Sequence, residues 1–97
     1  MAAYLIGNIT VTDAEGYEEY RARVPAVIAA HGGRYVVRGG AMEVLEGDWP
    51  NPRTVILEFP DMQRLKAFYE SADYAPLLAI RKRSAVSNII AVEGYVP

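Results

Sequence analysis

Ninety-seven residues with a net charge of −2 and no cysteine describe one domain with neither a disulfide framework nor thiolate chemistry. Near-neutral charge leaves no basic footprint for nucleic acid and no polybasic patch for a membrane surface. No apolar run is long enough to span a bilayer, and residues 1–12 lack the charged start and long apolar core of a signal peptide, so a cytoplasmic location is expected.

Ala3 to Val11 alternates as a strand, with Leu5, Gly7, Ile9 and Val11 on one face and Tyr4, Ile6, Asn8 and Thr10 on the other. Thr12-Asp13-Ala14-Glu15 matches a capping box, with Asp13 as the alternative cap, and opens a helix predicted to reach about His31. Its apolar stripe is Tyr17, Tyr20, Val24, Val27, Ile28 and His31. Pro25 removes a backbone donor and crowds the carbonyl four residues back, which predicts a kink between Arg21 and Pro25. Gly32-Gly33 ends the helix, and Arg34 to Arg38 forms a second strand that Gly39-Gly40 breaks or bulges. Glu43 to Glu46 reads as a resumption of that strand before the turn Gly47-Asp48-Trp49-Pro50-Asn51-Pro52.

Arg53 to Phe59 is the third strand, with Val55, Leu57 and Phe59 facing one way and Thr54, Ile56 and Glu58 the other. Asp61 caps a helix from Met62 to about Glu70, Ser71-Ala72-Asp73 interrupts it, and Pro76 lies in the first turn of a helix reaching about Ser84. Ser87 to Gly94 is the fourth strand. The order β-α-β-β-α-β is that of an α+β, ferredoxin-like sandwich. Right-handed crossovers place the first and third strands in the centre, read here as parallel, with both helical segments on one face. The opposite face would carry Ile6, Asn8, Thr10, Val36, Arg38, Thr54, Ile56, Glu58, Asn88, Ile90 and Val92. That set is too apolar for open water, so a second copy should cover it in a two-fold dimer.

Several motifs resemble the DUF1330 family: Tyr17 and Tyr20, His31-Gly32-Gly33-Arg34-Tyr35 into Arg38-Gly39-Gly40, Glu46-Gly47-Asp48-Trp49, and Glu58-Phe59-Pro60. Tyr69-Glu70-Ser71 before Tyr74, Arg81 and Val92-Glu93-Gly94 continue the pattern in the family's order. The resemblance implies a single domain over residues 1–97 that forms a dimeric α/β barrel, and it implies no activity. The wider superfamily holds cofactor-free monooxygenases, muconolactone isomerases, haem-dependent enzymes and stress-responsive proteins, and carrying any of these over would rest on fold alone.

Two residues are candidate catalysts. His31, the single histidine, is the natural acid/base near neutrality, and its plain reading is a helix C-terminal residue. Glu58 is read as a base beside Arg38, an anion holder on the dimer-facing side of the sheet; the plain reading of that pair is an ion pair fixing dimer register. Arg38, Asn8, Tyr74 and Arg81 are candidate ligand contacts, Arg81 supplying a second cation to a pocket between helix and sheet. One histidine without cysteine gives no zinc site, nothing supports haem, and no metal or cofactor is expected. The functional expectation is a homodimer holding a small anionic or aromatic molecule in a cleft near Arg38, with no nucleic-acid or membrane partner. One alternative is a cofactor-independent monooxygenase or isomerase; the other is a structural or stress-related dimer without a ligand.

Overall fold

In the computed structural model, which describes residues 1–97, strand β1 (Ala3–Val11) runs through the middle of a four-stranded sheet. Around it come α1 (Ala14–Ala30), β2 (Arg34–Arg38), β3 (Arg53–Phe59), α2 (Met62–Tyr69), α3 (Ala75–Ser84) and β4 (Ala85–Glu93). The sheet order is β2-β3-β1-β4 and every pairing is antiparallel. This corrects the parallel reading of β1 and β3. The α1 crossover returns the chain in the direction of β1, so β2 runs with β1, and β3 turns back against both. The fourth strand also starts two residues earlier than expected, because Ala85 pairs with Val11.

The helices lie on one face and bury Ala3, Leu5, Leu57 and Phe59 of the sheet against Val24, Ile28, Leu65, Phe68, Tyr74, Leu77 and Ile80. Asp13, not Thr12, caps α1, its carboxylate accepting from the Gly16 N–H. The α1 helix ends at Gly32, whose φ of 79° is the left-handed turn a side chain would resist. Between α2 and α3 the Ser71 hydroxyl donates to the Phe68 carbonyl and accepts from the Tyr74 N–H, holding the turn that carries Tyr74 inward. No strand resumes at Glu43 to Glu46; residues 39–52 form an extended arm without regular structure.

The second strand departs from strict alternation. Tyr35 opposes Leu57, but Val37 opposes Ile56 and Arg38 opposes Val55. Val36 is thus an extra residue, a bulge that shifts every later side chain to the other face. Val37 moves to the open face, and Arg38 moves to the helix side.

Pro25 explains where Arg38 goes. The α1 helix continues through Pro25, which has no N–H to give the Arg21 carbonyl. Arg38 Nη2 donates to that oxygen at 2.9 Å instead, and its guanidinium lies 4.6 Å from the Tyr35 ring centroid. Pro25→Ala should raise stability by roughly 1–3 kcal/mol, since proline is the poorest residue inside a helix. Arg38→Ala should then cost about 1 kcal/mol in the wild type and little in the Pro25→Ala background. A double-mutant cycle by urea unfolding reads this coupling, and full additivity would refute it. No helix is long and apolar enough to cross a membrane.

Candidate functional site

The helix layer and the sheet do not close completely. Between them lies a cavity with about 30 Å³ open to the centre of a water molecule, in about 500 Å³ of free space counting its mouth. That is room for one or two waters. Leu5, Ile9, Val55, Leu57 and Ile89 of the sheet form an apolar floor. Five tyrosines, Tyr17, Tyr20, Tyr35, Tyr69 and Tyr74, form most of the walls, with Arg21, Arg53 and Arg81 as the only charged residues and no carboxylate. Arg21 is the one exposed wall residue and marks the mouth. The Arg38 bridge from β2 to α1 therefore crosses the rim.

Arg81 is the unusual member. Tyr74, Leu77, Arg81 and Ser84 recur at helical spacing on the buried side of α3, so Arg81 turns inward while Lys82 and Arg83 stay in solvent. It is 4% exposed. The three ion pairs of the protein are Arg21–Glu18, Arg23–Glu19 and Arg34–Glu58, and none includes Arg81. Its polar contact is the Tyr74 oxygen, 3.4 Å from Nε. Tyr74 and Tyr20 in turn bring their oxygens to 2.7 Å. Burial, helped by the neighbouring Tyr74, pushes the Tyr20 phenol far above its ordinary range, so it stays protonated and acts as a hydrogen-bond donor or acceptor. Burial opposes the Arg81 charge, the Tyr74, Tyr20 and Tyr69 oxygens favour it, and the guanidinium remains cationic.

The other sequence-derived candidates lie elsewhere. His31 caps the C-terminus of α1; its Nδ1 is 3.0 Å from the Val27 carbonyl and its ring stands edge-on to Phe68, outside the cavity wall. Glu58 stays on the open face but does not meet Arg38, because the bulge sends Arg38 to the opposite side. Its partner is Arg34, Nε to Oε1 at 2.6 Å, and Tyr4 donates to Oε2 at 3.0 Å. Asn8 is buried on the open face, where it exchanges hydrogen bonds with Asn51 and pins the end of the arm to β1; Thr10 also donates to Asn51. Of the six candidates the structure brings only Tyr74 and Arg81 together, with Arg38 at the rim. Sequence reasoning missed Arg53 as a wall residue. Its signal was available: Arg53 is in phase with Val55, Leu57 and Phe59, an arginine on the core face of a central strand.

The Arg34 and Tyr4 contacts hold the Glu58 carboxyl below its ordinary value of 4.5. A depressed carboxylate stabilises the fold fully above that value and loses the contribution as pH falls through the native one. Glu58→Gln should therefore lower the melting temperature at pH 7 and converge with the wild type only as the pH falls below the depressed native value. A parallel offset at every pH would refute the assignment.

A family model described as a domain of unknown function, DUF1330, matches residues 2–95. The chain belongs to the DUF1330 family. No match was found among curated proteins. Among solved structures, this DUF1330 chain is similar to a protein of unknown function from Rhodopseudomonas palustris, at 18% identity and TM-score 0.78, covering 99% of this chain and 84% of that one. It is similar to a dimeric ferredoxin-like protein of unknown function from Jannaschia sp. CCS1, at 13% identity and TM-score 0.73, covering 97% and 100%. It is also similar to SnoaB, a cofactor-independent oxygenase from Streptomyces nogalater, at 13% identity and TM-score 0.67, covering 99% and 95%. At such identities the likeness is one of fold, and the DUF1330 chain has a ferredoxin-like α+β architecture.

Proposed function

We propose that this protein binds a small organic anion with a flat apolar body in the cavity between the helices and the sheet, with Arg81 as counter-charge. The observation behind this is the burial of Arg81 without a carboxylate partner. Phenol oxygens solvate the buried guanidinium, but without a carboxylate beside it part of the desolvation cost stands, by an order-of-magnitude estimate about 3–5 kcal/mol. An incoming carboxylate would offset that cost, and the tyrosine faces and aliphatic floor suit a ring. A ligand of that size needs more than the about 30 Å³ now enclosed, so binding requires the walls to part at the Arg21 mouth. No imidazole or carboxylate lines the cavity, so this is a reading of binding, with His31 and Glu58 outside it.

The protein does this as a homodimer. A row of β-branched side chains, Val37, Ile56, Ile6 and Ile90, crosses the open face through all four strands. Ile90 is 58% exposed. The arm adds Met42, Val44, Leu45 and Trp49 beside Val37 in an apolar groove of about 440 Å³. A two-fold copy would cover both, and the dimeric ferredoxin-like neighbour supports that occupant. Calorimetric titration with benzoate and with uncharged methyl benzoate tests the ligand reading. Benzoate should bind at least about tenfold tighter. Equal affinities, or no binding of either, would reject it.

A further inference from the structure

Arg53 poses a second problem of the same kind at a different place in the cavity. It opens β3, paired with Ile9, and so enters the cavity from the sheet, whereas Arg81 enters from α3. Its Nε is buried and has no hydrogen-bond partner. Its guanidinium lies 5.6 Å from the Tyr17 ring centroid and presses against Gly39. Gly39 has a φ of 65°, and a Cβ there would collide with the Arg53 head. The chain thus leaves a side-chain-free position at the start of the arm where the cation sits. No ion pair includes Arg53, and Arg21, the third wall arginine, is already paired with Glu18 outside.

Two guanidiniums without a carboxylate partner therefore line one largely apolar cavity, beside different tyrosines: Arg81 at Tyr74 and Arg53 at Tyr17. A monoanion would neutralise one and leave the other as it is. We infer that Arg53 is a second anion anchor and that the ligand is a flat dianion of the aromatic or unsaturated dicarboxylate class. This rests on the cavity reading above and deepens it. One carboxylate takes the Arg81 fork from the roof, the second takes the unpaired Nε edge of Arg53 at the floor, and the body between them lies among the tyrosine rings. Arginine suits both ends, since its planar fork matches a carboxylate with paired hydrogen bonds.

Titration of the full-length wild-type chain with the three benzenedicarboxylates and their monomethyl esters tests this without any substitution. Each ester keeps the shape and removes one charge. At least one diacid should bind about tenfold or more tighter than its ester. Arg53→Met should then weaken that diacid by about tenfold and leave its monoester within about twofold. Esters that match their diacids for all three isomers would overturn the second anchor while leaving Arg81 in place. An Arg53→Met loss shared equally by diacid and monoester would also overturn it, because both arginines would then serve one carboxylate or Arg53 would merely shape the wall. If neither diacids, esters nor benzoate bind, the cavity reading and this inference fail together.

Discussion

Arg81→Met is expected to leave the unliganded protein at least as heat-stable as the wild type while weakening benzoate binding about 100-fold, or about 2.7 kcal/mol. The two effects have opposite signs because they read opposite sides of one cost. In the free protein Arg81 is 4% exposed without a carboxylate, and a methionine of similar length removes the buried charge while still filling the buried side of α3. Replacing buried ions with apolar groups of like volume is often neutral or stabilising. Tyr74 loses the Arg81 Nε donor but keeps the Tyr20 oxygen at 2.7 Å, so no phenol is orphaned. In the complex the same change strands a buried anion, which costs about 2–5 kcal/mol where such pairs are broken. Arg81→Lys should fall between, because an ammonium keeps the charge but loses the planar fork. Thermal melts and calorimetry on the three proteins decide it. An Arg81→Met variant that melts well below the wild type would show that the arginine is a strut of the fold rather than an anion anchor.

How far the residues announce this site depends on which strand is read. Strands β1, β3 and β4 alternate cleanly, so the helix-face and open-face sets follow from parity alone. The second strand does not. Its bulge at Val36 lies in a five-residue edge strand, and nothing in Tyr35-Val36-Val37-Arg38 distinguishes one extra residue from regular pleating. That single unit of register separates an Arg38 paired with Glu58 from an Arg38 bridging to α1, and no composition argument resolves it. Glu43-Val44-Leu45-Glu46 mimics a strand because its apolar pair is exposed on an arm, where pattern and pairing part company. Arg81 was more legible than its charged neighbours suggest. It continues the Tyr74, Leu77 and Ser84 stripe, and helical spacing places it inward even though Arg81-Lys82-Arg83 reads as a solvated last turn. The closing of helices over sheet to leave a carboxylate-free cavity is a three-dimensional fact with no local signature.

Ile6→Lys is expected to convert a dimer of about twice 10.7 kDa into monomer, with dissociation favoured by roughly 3–6 kcal/mol. Ile6 stands at the middle of the open face, flanked by Ile56 on β3 and Ile90 on β4. Burying an isoleucine side chain is worth about 1.5–3 kcal/mol, and a two-fold interface counts each substitution twice. Two introduced ammonium groups would also face each other across the axis. The chain supplies helices for one face of its sheet only, so the loss should appear in stability as well as in mass, with melting becoming dependent on protein concentration in the wild type and independent of it in the variant. Val11→Lys is the matched control: Val11 is 37% exposed at the end of the same strand, on the other face, and should leave the mass unchanged. Sedimentation of all three proteins over a wide concentration range separates the outcomes. A wild-type chain that sediments as a stable monomer at every concentration, with Ile6→Lys indistinguishable from it, would mean that the isoleucine row is simply wet.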